Sequence, residues 1–171
     1  MMTRRNRILF VLTILFSCIV LDQFTKKIAV ETLKSSPSIS YLGDFFRFQY
    51  AENTGAMLGF GSELPELLRF WLLTVLVGVL LLVLLGFLLF SPKLTFAQGL
   101  ALSLICGGGV SNFIDRMLND GRVVDFMNMG IGWLRTGIFN VADVLIMIGL
   151  GLILLYGEWR SKKKIEQEAA E

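Results

Sequence analysis

Four apolar runs dominate the chain: residues 8–28, 67–90, 94–114 and 138–159. Each is close to or above the roughly 20 residues that an α-helix needs to cross a hydrocarbon core of about 30 Å. With 54% hydrophobic residues in a chain of 171, nothing resembling a soluble domain is left once these runs are set aside. The sequence therefore predicts an all-α membrane protein, one integral domain over residues 1–171, with four transmembrane helices. Between them lie two long loops, 29–66 and 114–137, and a charged tail follows at 160–171.

The basic start followed by an apolar run has the outline of a signal peptide, and "LFSC" resembles a cleavage box. The apolar character continues past Cys18 and three further spans follow, so a first transmembrane helix is the plainer reading. Four spans put both termini on one side. The 16 Lys and Arg residues divide evenly between the two sides, but Arg4, Arg5, Arg7, Lys93, Arg160, Lys162, Lys163 and Lys164 are densely clustered. The others are spread through the long loops among acids. The positive-inside rule then places both termini in the cytoplasm and both long loops outside.

Histidine is absent, which removes His-based triads and most zinc sites. Cys18 and Cys106 sit in apolar runs without a C-x-x-C spacing and are expected to be packing residues. No metal or cofactor is expected, and a net charge of +2 gives no reason to expect a nucleic acid partner. In the first loop, Phe46, Phe48 and Tyr50 alternate with polar residues as in a half-buried strand. This predicts a small sheet lying on the membrane. "GSELPELLRF" reads as a helix start.

The remaining polar residues gather at one depth. Asp22 lies 14 residues beyond Ile8, roughly 21 Å up the first helix, and Lys26 is one turn further on the same face. Asn112, Asp115 and Arg116 close the third span; Asp125 sits between "VV" and "F"; Asn140 and Asp143 open the fourth; Asn53 and Thr54 lie in the first loop. Structural roles are available for most of them. Asp22 with Lys26, and Asp115 with Arg116, have the makings of ion pairs at helix ends. Asn140 and Asp143 have the spacing of a capping box. Asp125, among apolar neighbours, has no such excuse. Four aspartates and two asparagines at one membrane level make a functional site the better reading. Two carboxylates held close share a proton, giving a water molecule a base on one side and an acid on the other, as in an aspartic protease.

The segments "DQFTK" (Asp22 to Lys26), "ENTGAMLGF" (Glu52 to Phe60), "SNFIDRMLNDGRVVDF" (Ser111 to Phe126) and "FNVAD" (Phe139 to Asp143), in this order, resemble the bacterial lipoprotein signal peptidase (signal peptidase II) family. The resemblance implies an intramembrane aspartyl endopeptidase that removes signal peptides from diacylglyceryl-modified prolipoproteins, cutting before the lipidated cysteine. It implies Asp125 and Asp143 as the catalytic pair, with Asp22, Lys26, Asn53, Gly55, Asn112, Asp115, Arg116 and Asn140 binding substrate or supporting the site. Arg116 is expected to pair with Asp115. The implied fold adds a small extracytoplasmic β-sheet cradle and a short amphipathic helix over the outer mouth. "NTGAMLGF" would act as a flap, with Gly55 and Gly59 giving it freedom. The implied partners are the lipidated precursor and membrane lipid, the implied place is the bacterial cytoplasmic (inner) membrane with the site facing outward, and a monomer is expected. The chain departs from the family's usual pattern at "GGGVSN", where Ser111 stands in place of Gly before Asn112.

Two other chemistries use the same residues. A Ser/Lys protease would employ Ser111, although Lys26 is better placed for Asp22. A proton-coupled carrier would want acids near the midplane and an inverted repeat, and neither is visible. A scaffold protein would tolerate loss of the aspartates.

Overall fold

The computed structural model describes residues 3–56, 59–92 and 94–168. Lys93, counted among the inner-side cations, and Met57 and Leu58 of the flap segment lie outside the described residues. Among the described residues the elements run α1 (Arg4–Leu33), β1 (Ile39–Tyr41), β2 (Phe46–Asn53), α2 (Glu66–Phe90), α3 (Phe96–Leu118), β3 (Val123–Ile131), β4 (Leu134–Arg135) and α4 (Val141–Glu168). All four helices are long and apolar enough to span a membrane, and the chain is a multi-pass membrane protein.

Local chemistry sets the helix ends. The Thr3 hydroxyl accepts from the Asn6 N–H at the start of α1. Thr95 and Gln98 form a reciprocal capping box at the start of α3. Pro65 precedes the first turn of α2. α1 runs five residues past the expected end at 28, because no breaker intervenes before "SSP". α4 continues to Glu168, through the segment read as a tail. Its Lys, Glu and Gln residues are good helix formers and nothing stops the helix there. α2 contains a π-helical segment, Phe70–Leu76, between α-helical turns. Gly59 to Leu64 form successive turns between β2 and α2.

α3 is the centre of the bundle. Successive helical residues are turned by about 100°, so the three glycines of "GGG" face three different helices. A Cβ on Gly107 would lie 2.7 Å from Cys18 Cβ of α1, on Gly108 2.5 Å from the Ala142 carbonyl of α4, and on Gly109 2.6 Å from Leu81 of α2. Lipid supplies no hydrophobic force between helices, so close contact has to come from small residues of this kind. α2 and α4 both pack mainly on α3 and α1. Val11, Leu15, Leu88, Leu94 and Cys106 form a core where α1, α2 and α3 meet, and both cysteines are buried and free, as expected of packing residues.

The sheet is antiparallel in the order β1-β2-β3-β4. The alternation around Phe46 to Tyr50 becomes β2. β3 lies within 114–137, a stretch read as loop. It is buried on both faces over most of its start and so lacks the alternation that marks a half-buried strand. A register shift between Phe48 and Ala51 puts an extra residue in β2. Phe126 and Phe48 then pack on Ala29 and Leu33 of α1, which holds the sheet against the bundle.

Gly108→Val should push α4 off α3 and destabilise the protein by about 1–3 kcal/mol. Gly86→Ala, where a Cβ meets open space, should leave stability nearly unchanged. Thermal unfolding in detergent measures both.

Candidate active site

The third helix sorts the polar residues by face. Ser111 and Asp115 continue the Gly107 stripe and meet α1, Asn112 and Arg116 continue that of Gly108, and Phe113 and Met117 continue that of Gly109. On the first stripe, Lys26 is buried with its ammonium 2.7 Å from Asp22 Oδ2 and 2.8 Å from Asp115 Oδ2. It also donates to Asn112 Oδ1 at 2.8 Å. Gln23 Nε2 donates to Asp115 Oδ1 (2.7 Å) and to the Ser111 hydroxyl (3.1 Å), which itself donates to Asp22 Oδ2 (2.7 Å).

These acids also hold main chain. Asp22 Oδ1 accepts the Ala142 N–H at the head of α4 (2.8 Å), and Asp115 Oδ2 accepts the Val124 N–H of β3 (3.0 Å). The two elements that carry Asp143 and Asp125 are thus tied to the same buried cluster. They are also joined to each other, since the Phe139 carbonyl accepts the N–H groups of Phe126 and Met127.

Asn140 sits between the two acids. Its Nδ2 donates to Asp125 Oδ1 at 2.6 Å and to Asn112 Oδ1 at 3.0 Å. Its main-chain N–H donates to Asp143 Oδ2 at 3.2 Å, and the Asp143 N–H returns to Asn140 Oδ1 at 3.0 Å. This is the capping box expected from the sequence. Asn112 Nδ2 donates to Asp143 Oδ1 (3.0 Å), and Asn53 Nδ2 donates to Asp125 Oδ2 (2.9 Å). Asp125 and Asp143 are both buried. On β3, burial pushes the Asp125 carboxyl up to about 7. The Asn53 and Asn140 hydrogen bonds oppose that rise and the Asp143 charge adds to it. Two carboxyl groups bridged by one asparagine supply an acid and a base without any histidine.

Residues 14–157 match the family model described as Signal peptidase (SPase) II. The chain belongs to the signal peptidase II family. It is 37% identical over 146 residues to the lipoprotein signal peptidase of Chlorobium phaeobacteroides, over 81% of this chain and 83% of that one. It is 37% identical over 152 residues to that of Treponema denticola, over 85% and 88%. A bacterial membrane enzyme solved by the in meso method at 2.3 Å resolution matches with a TM-score of 0.77 and 29% identity, over 91% of each chain.

In this signal peptidase II chain the expected site residues come together, with one correction. Arg116 does not take Asp115 as its partner. Neighbouring helix positions do not share a face; Asp115 serves Lys26, Gln23 and Val124, whereas Arg116 Nη2 donates to the Gly55 carbonyl at 2.8 Å. Gly55 is small by necessity, since a Cβ there would lie 2.7 Å from the Gly59 and Phe60 main chain. Its N–H donates to Asn53 Oδ1, so Arg116 and Asn53 together hold the start of the loop. Ser111 is not a nucleophile next to a free amine: its hydroxyl is engaged by Asp22 and Gln23, and Lys26 already has three acceptors. Gln23 escaped the sequence reading; its place beside Asp22 within "DQFTK" was the available signal.

Lys26→Met would leave two buried carboxylates without their cation and should cost about 3–5 kcal/mol. Thermal unfolding of the purified variant in detergent checks this, and a change below 1 kcal/mol would contradict the pairing.

Proposed function

We propose that the protein removes the signal peptide from diacylglyceryl-modified prolipoproteins by hydrolysing the peptide bond before the lipidated cysteine, with Asp125 and Asp143 as the catalytic pair. The observation that carries this reading is Asn140, which donates to both acids at once. Asp143 is the ionised member: it lies in the first turn of α4, where the helix dipole favours negative charge, and it accepts from Asn112 and Asn140. Asp125, raised to about 7 by burial, keeps the proton. The pair titrates as a unit.

Water held between the acids gives a proton to Asp143 as its oxygen adds to the carbonyl carbon. Asp125 donates its proton to the carbonyl oxygen, forming a tetrahedral diol. As the C–N bond breaks, Asp143 passes its proton to the leaving amine of the cysteine, and a diol proton returns to Asp125. Asn53, Asn112 and Asn140 hold the acids, and Asp22, Lys26 and Asp115 hold the elements that carry them.

The chain works as one integral membrane domain, and the reading needs no second copy of it. The dense cations near both termini favour a cytoplasmic location for each terminus, which places the sheet and the acids on the outer side of the bacterial cytoplasmic membrane. The peptide then reaches the site from the lipid with its acyl chains still in the bilayer.

The test is cleavage of a diacylglyceryl prolipoprotein by detergent-purified protein. Asp125→Asn and Asp143→Asn should each slow cleavage by about 10²–10⁴-fold, and normal rates in either would refute the pair. The unlipidated precursor should be cleaved far more slowly. Because Asp125 must hold its proton, kcat/KM should fall as pH rises past about 7, about tenfold per pH unit once the proton is mostly lost. A rate–pH profile flat to pH 9 would oppose this assignment.

A further inference from the structure

The third stripe of α3, Gly109 to Met117, plays no part in the acid–base chemistry, yet it borders a groove that begins beside the site. Toward the sheet end the groove is a cavity of about 740 Å³ whose walls include Thr54, Arg69 and Arg116. Deeper in the bundle it is a cavity of about 550 Å³ walled by Gly78, Val79, Leu82 and Phe113. Phe70, Thr74 and Met117 line both parts, so the two adjoin along these side chains. From Phe70 to Leu82 the groove follows α2 for about 18 Å, somewhat more than the ~15 Å depth of one leaflet's hydrocarbon.

Its shape is built in. Gly78 lets the Phe113 ring lie against α2, where a Cβ would stand 2.8 Å from that ring. The wider turn of the π-helical segment Phe70–Leu76 carries Thr74, which is buried, at the junction of the two parts.

We infer that this groove holds one acyl chain of the substrate's diacylglyceryl group, an assignment that rests on the function proposed above. The two ends differ in chemistry as such a ligand requires. Arg69 and Arg116, which share that wall with Glu66 and Asp120, offer guanidinium donors suited to ester carbonyl oxygens, and below them the walls are almost wholly hydrocarbon. Arg116 also links the groove to the acids: it donates to the Gly55 carbonyl, Gly55 donates to Asn53, and Asn53 donates to Asp125. Arg116, on the α3 face that also carries Asn112, lines the sheet end of the groove. A lipid chain attached to a cysteine at Asp125 and Asp143 would enter at the end walled by Thr54 and Arg116.

The test uses a diacylglyceryl prolipoprotein with a photoreactive diazirine at the end of one acyl chain, bound to full-length Asp125→Asn protein in lipid nanodiscs. After irradiation, labelled residues are mapped by mass spectrometry. Labels should concentrate on Val79, Leu82 and Leu85, and a phospholipid with the same diazirine should not reproduce that pattern. Labels on the lipid faces of α1 or α4, or a pattern shared with the phospholipid, would overturn the assignment. With Asp125 intact, Leu82→Trp should raise KM about tenfold for a palmitoyl-length substrate and leave an octanoyl substrate within twofold; equal effects on both would also overturn it. No cleavage of the lipidated precursor by the unmodified protein defeats the functional reading and the groove with it, whereas cleavage with labels elsewhere defeats the groove alone.

Discussion

A single buried ammonium holds this structure together. Lys26 meets Asp22, Asp115 and Asn112 at 2.7–2.8 Å, and through them reaches two further elements: Asp22 holds the head of α4 and Asn112 the Asp143 carboxylate in its first turn, while Asp115 holds the start of β3. Burying such charges costs several kcal/mol per ion, and the mutual attraction returns that only when geometry and hydrogen bonding are complete. The cluster meets this condition through Gln23 and Ser111, which occupy further acceptor sites on the two acids. Its value is in placement: four elements that lipid would leave free to slide are pinned at the level where Asp125 and Asp143 meet.

The central helix distributes the work by face. Three successive glycines admit three neighbours, and one turn later the same directions carry a partner for Asp22, an orienting amide for Asp143, and the ring of Phe113 against α2. Close packing and site chemistry thus share one periodicity. Ser111 fits this scheme: a residue small enough for the α1 contact adds a donor to Asp22, where glycine would have none.

What could be read from the sequence follows from which physical signals are local. The spans were legible because crossing a bilayer requires length and hydrophobicity together. β2 was legible because Phe46, Phe48 and Tyr50 alternate, and the Asn140–Asp143 box because its partners are three residues apart. β3 was not, since Val123 to Phe126 are buried on both faces and read as an apolar run in a loop. The partner of Arg116 was misread because sequence proximity to Asp115 favours a pair that helix geometry separates. Gln23 and the hydroxyl role of Ser111 depend on contacts across 88 to 92 positions, and no local pattern reports these. The π-helical segment has no proline, and its offset shows only where Thr74 turns inward.

In the proposed mechanism the two acids share one proton, carried by Asp125 near neutral pH. Isotope-edited infrared spectroscopy of protein labelled with ¹³C-aspartate counts protonated carboxyl groups directly. At pH 6 this sharing should leave one protonated side chain in the site, whose band disappears in Asp125→Asn and persists in Asp22→Asn. Two ionised carboxylates at that pH, or a band that survives in Asp125→Asn and is lost in Asp143→Asn, would contradict it.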